Sequence, residues 1–90
     1  MVKLLIADDE SFTRQGILET IPWKALNISE VREAYDGQNA LEIIKDFEPD
    51  ILLTDVRMPR LNGIELSFKV RELYPNCSII FMSGLFARME

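Results

Sequence analysis

The stretch "LLIADDES", Leu4 to Ser11, runs four apolar residues directly into three consecutive acids. The apolar part predicts a strand over Lys3 to Ala7 that is buried on both faces, as strands of parallel sheets are. Asp8, Asp9 and Glu10 repel one another, and this repulsion raises the cost of ionising each of them. The end of this strand therefore needs something that offsets the cost.

The composition predicts a single cytoplasmic domain over residues 1–90. Hydrophobic residues make up 48% of the chain and charged residues 28%, and no apolar run approaches the roughly 20 residues that span a bilayer. The N-terminal apolar segment is too short for a signal peptide. The net charge of −5 argues against binding nucleic acid through a basic surface. We therefore expect neither membrane contact nor direct nucleic-acid binding.

The residue types present restrict the chemistry. The chain has no histidine, which excludes a histidine-based zinc site and a histidine general base. Its single cysteine, Cys77, cannot close an internal disulfide. Any chemistry must rest on carboxylates, hydroxyls and the backbone.

Short apolar runs alternate with helical periods along the chain. After the first strand, Ser11 is predicted to cap a helix whose apolar stripe ends at Pro22. Val31 to Tyr35 is predicted as a strand, and because Arg32 and Glu33 interrupt its apolar pattern, it fits the edge of a sheet better than the centre.

Two further helices and two further strands are predicted beyond Tyr35. Apolar residues at helical spacing before Pro49 indicate one helix, and Asn62 with Glu65 makes a capping-box start for another. Alternating apolar residues over 64–70 would also fit a strand, but the cap and the length favour the helix. The predicted strands are Ile51 to Thr54 and Ser78 to Met82.

The alternation of strands and helices predicts an α/β fold. Right-handed crossovers make such a series a doubly wound parallel sheet with helices on both faces. Ligands bind these sheets at the carboxyl ends of the strands. The polar and small residues expected at that edge are Asp8, Asp9, Asp55, Ser83 and Gly84.

Three of these residues, Asp8, Asp9 and Asp55, suggest a metal site. Carboxylates that converge without histidine or lysine suit a hard divalent cation, and Mg²⁺ usually binds together with a phosphate. The ion would relieve the repulsion among the acids. The alternative is that the acids after the first strand only favour the positive end of the next helix. Because Asp55 comes from a distant part of the chain, its expected position beside these acids favours the interpretation as a metal site.

Four motifs occur in order along the chain: "ADDES", "LLTDVRMP" with Asp55 three residues before the Met58-Pro59 pair, Gly63 four residues after that proline, and "IIFMSG". Together they resemble the receiver domain of two-component response regulators over nearly the whole chain. The resemblance implies a flavodoxin-like (CheY-like) fold. The stretch "RQGILETIPWKALNI" is similar to receivers that precede AraC-type DNA-binding regions.

The resemblance implies a role for each matching residue. Asp55 would be the phospho-acceptor, a carboxylate that takes the phosphoryl group of a sensor histidine kinase. Asp9, Asp55 and the backbone carbonyl of Arg57 would bind Mg²⁺ directly, with Asp8 acting through a metal-bound water. Ser83 would be the switch hydroxyl, which donates a hydrogen bond to the new phosphate. Such a domain catalyses at most its own phosphorylation and dephosphorylation and is not a turnover enzyme.

Two residues of the matching loop, Pro59 and Gly63, have a simpler interpretation. The resemblance implies that both shape the loop below Asp55, and an interpretation as simple turn residues is equally compatible with the sequence. We therefore predict no functional role for them.

The chain departs from the family at its C-terminus. A receiver is expected to continue into a fifth strand preceded by a lysine that pairs with the phosphoryl group, then a last helix, whereas this sequence has no lysine after Lys69. The expected fold is thus a truncated receiver of about four βα units with weakened phosphoryl transfer. We also expect a homodimer, formed through the exposed edge of the fourth strand or by exchange of terminal segments.

Two other functions compete with the phospho-acceptor. A pseudo-receiver would act only as a protein-interaction or dimerisation module. A phosphatase of the haloacid-dehalogenase type also uses an aspartate nucleophile after a strand, but it expects Asp-x-Asp and a downstream lysine. The sequence "DDES" fits that pattern poorly.

Overall fold

The structure of the chain is a computed structural model that describes residues 1–82. Strands and helices alternate throughout this part, as predicted. Their bounds are β1 Val2–Ala7, α1 Ser11–Thr20, β2 Ile28–Ala34, α2 Gly37–Phe47, β3 Ile51–Asp55, α3 Gly63–Leu73 and β4 Ser78–Met82. Within residues 1–82, no helix is both long enough and apolar enough to cross a membrane.

The four strands form one parallel sheet in the order β2-β1-β3-β4. This is the flavodoxin-like order, in which the chain reverses direction across the sheet after the second strand. The predicted doubly wound α/β fold is therefore confirmed. Because β1 and β3 occupy the centre, their carboxyl ends lie side by side.

The central position of β1 explains its continuous apolar sequence. Leu5 and Ala7 lie in a buried cluster with residues of α2 and α3. Leu4 and Ile6 point to the other face, into a second cluster that includes Ile17 of α1. Burial on both faces is the arrangement that the sequence predicted.

The strand β2 lies at the sheet edge as predicted, but its predicted bounds, Val31 to Tyr35, were wrong. It begins at Ile28, which pairs with Val2, and ends at Ala34. Ser29 and Glu30, which precede the predicted start, are exposed, and an edge strand tolerates such residues because one of its sides faces solvent. The apolar pattern of the sequence is therefore interrupted at the start of β2, although the backbone of β2 already pairs with β1 there.

The start of α1 differs from the prediction. Glu10, not Ser11, is the N-cap residue, and no side chain caps the helix. The Glu10 amide donates instead to Oδ1 of Asp8, 2.8 Å away. This bond forms a turn between the strand and the helix, and the helix then begins at Ser11.

The other two helices start with side-chain caps. In α3 the predicted capping box is confirmed: Asn62 Oδ1 accepts from the Glu65 amide at 2.9 Å, and Glu65 Oε1 accepts from the Asn62 amide at 3.1 Å. The alternative strand over residues 64–70 is therefore wrong. In α2 the cap is Asp36, whose Oδ1 accepts from the Asn39 amide at 2.7 Å.

The segment between α1 and β2 returns the chain to the amino ends of the strands. Trp23 lies there, half-buried against the α1 side of the sheet. Its indole Nε1 donates to the Leu18 carbonyl at 3.1 Å, and its own carbonyl accepts from the Ile28 amide at 2.9 Å. Trp23 thus joins the end of α1 to the start of β2.

The strand β4 has its predicted bounds and forms an edge of the sheet within the described residues. Two of its large side chains are exposed there, Ile80 at 51% and Phe81 at 39%. The predicted switch hydroxyl, Ser83, lies outside the described residues.

Candidate functional site

Three predicted site residues meet at the carboxyl edge of the sheet. Ala7 of β1 pairs with Thr54 of β3, so the next residue of each strand, Asp8 and Asp55, is brought alongside the other. Asp9 follows Asp8 in the turn to α1. Carboxylate oxygens of the three residues lie within 4.8 Å of one another.

The surroundings of Asp8 oppose the ionisation of its carboxyl group. Asp8 is only 3% exposed, and burial, followed by the charges of Asp55, Asp9 and Glu10, raises its pKa to about 6. The hydrogen bond from the Glu10 amide acts in the opposite direction but is outweighed. The repulsion inferred from the sequence is therefore present in the structure, and a bound cation would offset it.

An arginine that the sequence interpretation missed supports the backbone of this cluster. The Arg14 guanidinium donates to the Asp8 carbonyl oxygen and also pairs with Glu33 of β2 at 2.9 Å. The Asp8 amide in turn donates to the Ala34 carbonyl at 3.1 Å. These contacts join segments distant in sequence, so no local pattern marked Arg14 as part of the site.

Asp55 is the last residue of β3 and is half-buried. Its Oδ1 accepts from the Val56 amide at 2.8 Å, and its carbonyl oxygen accepts from the Thr54 hydroxyl at 2.9 Å. The sequence placed Asp55 just after the strand. The pairing of Asp55 with Met82 extends β3 by one residue.

Gly63 lies directly against the backbone of Asp55. A Cβ atom at Gly63 would be 2.0 Å from the Asp55 carbonyl oxygen, and the Gly63 amide donates to the Val56 carbonyl at 2.9 Å. Only a residue without a side chain fits this approach. The interpretation of Gly63 as a simple turn residue was therefore incomplete.

The loop between β3 and α3 carries the remaining predicted ligand, Arg57. Its side chain is exposed, while Met58 next to it is buried among residues of the α2 and α3 side. Pro59 accepts a hydrogen bond through its carbonyl from the Leu61 amide at 2.8 Å. The loop therefore turns back tightly before α3 begins.

The donor set suits magnesium. All three side chains offer carboxylate oxygen, the ligand type that Mg²⁺ prefers over softer nitrogen or sulfur ligands. Burial is the largest cause of the raised pKa of Asp8, and the negative charges of Asp55, Asp9 and Glu10 add to it. The residues present therefore fit a hard divalent cation.

Comparison with known proteins defines the class of this domain. The family described as the response regulator receiver domain matches residues 4–88. The crystal structure of a two component transcriptional regulator AraC from Clostridium phytofermentans is similar, with a TM-score of 0.88 and 51% identity over 93% of this chain and 68% of that one. The receiver domain of AraT, a response regulator from Geobacillus stearothermophilus, has a TM-score of 0.86 and 43% identity over 91% of this chain and 64% of that one.

The similar curated proteins are also regulatory proteins by their names. A response regulatory protein of Staphylococcus epidermidis is 40% identical over 93% of this chain and 33% of its own length. The transcriptional regulatory protein HptR of Staphylococcus aureus is 37% identical over 93% of this chain and 32% of its own length. The chain thus spans about a third of the length of these curated relatives. It belongs to the response regulator receiver domain family, whose members are signalling modules of two-component systems.

Proposed function

We propose that this chain accepts a phosphoryl group on Asp55 in a reaction that depends on Mg²⁺. One observation supports this most strongly: within a receiver-family chain, Asp55 shares a site with Asp8 and Asp9, with carboxylate oxygens within 4.8 Å of one another. Asp55 is half-buried at the end of β3, so part of it reaches solvent. The proposed donor is a sensor histidine kinase.

In the proposed reaction, a carboxylate oxygen of Asp55 attacks the phosphorus of a phosphohistidine. The new P–O bond forms as the P–N bond breaks, and the electron pair returns to the imidazole of the donor. The product is an acyl phosphate on Asp55. The hydrogen bond from the Val56 amide to Asp55 Oδ1 holds the carboxylate in one orientation and leaves Oδ2 to attack.

The acids beside Asp55 would hold the metal. Asp9, Asp55 and the Arg57 carbonyl would bind Mg²⁺, and Asp8 would complete the site through a water molecule. When bound, the ion supplies positive charge that lets an anionic carboxylate approach the phosphoryl oxygens. Ser83 would donate a hydrogen bond to the phosphate that forms.

Mass spectrometry after incubation with Mg²⁺ and acetyl phosphate tests this function. We expect one phosphoryl adduct that hydroxylamine removes, that is absent without Mg²⁺ and that is absent from Asp55→Asn. The matched control is Asp46→Asn, an exposed acid on α2, which should be labelled like the unmodified chain. Persistence of the adduct in Asp55→Asn would show that another residue is the acceptor.

A second candidate function is a pseudo-receiver that acts by self-association. The exposed Ile80 and Phe81 on β4, an edge strand within residues 1–82, favour it, because apolar edge strands pair readily with another chain. We propose that a second copy of this chain pairs along β4. This association is compatible with phosphorylation, and only a chain that dimerises without accepting phosphate would be a pseudo-receiver.

A further inference from the structure

The loop of residues 57–62 is held between two glycines that lie far apart in sequence. At its α3 end, Gly63 lies against the Asp55 backbone. At its outer side, the loop meets the first residue of α2: a Cβ atom at Gly37 would be 1.9 Å from the Leu61 carbonyl oxygen and 2.7 Å from its carbonyl carbon. The loop backbone therefore packs against the start of α2 with no space for a side chain.

A polar contact accompanies this backbone contact. Asp36, the N-cap residue of α2, is buried, and while its Oδ1 caps the helix, its Oδ2 accepts from Arg60 Nη1 at 3.4 Å. Arg60 has a φ of 70°, a left-handed conformation that non-glycine residues adopt only when their surroundings hold them there. The Arg60 side chain is 70% exposed, so the ion pair contributes little by itself. The close contact at Gly37 is the stronger restraint.

The helix is the firmer of the two partners. Three side chains of α2, those of Ala40, Ile44 and Phe47, are buried in the main cluster. In the loop only Met58 is buried, and 9% of it remains exposed. A side chain introduced at position 37 would clash with Leu61. This clash would therefore displace the loop before it displaced the helix.

We propose that Asp36 and Gly37 are positioning residues of the Asp55 site, which act by holding the loop of residues 57–62 against α2. Both lie outside the acid cluster, in another part of the sequence. The backbone they restrain includes Arg57, the proposed carbonyl ligand. This inference rests on the proposed function for its effect on Mg²⁺, but the restraint on the loop is independent of any ion.

Backbone amide resonances of the chain, recorded without metal and then during a Mg²⁺ titration, test the proposal. In Gly37→Ala we expect shifted amide resonances for residues 57–62 and Asp55 before metal is added, and Mg²⁺ affinity lowered by about tenfold. The control is Gly16→Ala on α1, where a Cβ would meet nothing within 4 Å among the described residues. It should leave both the loop resonances and the affinity unchanged.

The resonances and the Mg²⁺ affinity separate the positioning role of Asp36 and Gly37 from the proposed function. A folded Gly37→Ala chain with unchanged loop resonances and affinity overturns the proposal. If Gly37→Ala does not fold, Asp36→Ala decides, because it removes both the cap of α2 and the acceptor that Arg60 meets. Shifted resonances at Arg60 and Leu61 then support the proposal, and unchanged ones overturn it. An unmodified chain that binds no Mg²⁺ refutes the proposed function alone, and the metal-free resonances still decide the positioning role.

Discussion

At the scale of single residues, the buried carboxyl of Asp8 contributes unfavourably to the metal-free fold at neutral pH. Its pKa is raised from 3.8 to about 6 by burial and by neighbouring acids. Between these two pH values the folded chain holds a proton that the unfolded chain has lost. The contribution of Asp8 to stability therefore falls as pH rises through this window.

The fall in the stability contribution of Asp8 with rising pH leads to a prediction for the variant Asp8→Asn in the absence of metal. Asparagine keeps an oxygen for the Glu10 amide and carries no charge, so the variant should be more stable than the unmodified chain at about pH 7, by up to about 3 kcal/mol, and nearly equal at about pH 4. Urea denaturation at both pH values measures the difference. A stability difference that does not change with pH would contradict the assigned charge effect.

The residues of the site were predicted to different extents. The clustering of Asp8, Asp9 and Asp55 could be predicted because these acids lie at or just after the ends of two apolar strands. Arg14 could not, because its contacts to Asp8 and Glu33 join three segments. The approach of Gly63 to Asp55 was missed for the same reason. Local sequence patterns mark turns and strands, but they do not show which backbones touch.

At the scale of elements, α3 depends on its capping box. Replacing Asn62 by alanine removes the acceptor for the Glu65 amide and should lower the free energy of unfolding by about 1 kcal/mol. Asn76→Ala, at an exposed position after the same helix, is the matched control and should change little. Thermal unfolding of both variants measures this. Equal losses in the two variants would show that the cap is not what stabilises the helix.

The elements were predicted best where local chemistry and packing agree. The capping box and the apolar run of β4 gave correct bounds because each is specified by neighbouring residues. In β2 the exposed Ser29 and Glu30 hid the first part of a strand that pairing with β1 maintains. At α1 the sequence favoured Ser11 as the cap, whereas the bond from the Glu10 amide to Asp8 made Glu10 the boundary.

At the scale of the whole molecule, the proposed pairing of two copies predicts a concentration-dependent dimer. Ile80→Lys should shift the chain toward monomer, because a charge on an edge strand opposes pairing with another chain. Leu26→Lys is the control: this side chain is 55% exposed but lies in the segment between α1 and β2. Light scattering over a range of concentrations measures the mass. A chain that stays monomeric at high concentration contradicts the pairing.

The position of Trp23 provides an optical probe of this chain. It is the single tryptophan, and it lies where α1 returns to the amino ends of the strands, at the opposite end of the sheet from the acids. Its fluorescence should therefore change when the fold is lost and remain nearly constant when an ion binds. The chain thus carries an intrinsic fluorophore that reports unfolding separately from events at Asp55.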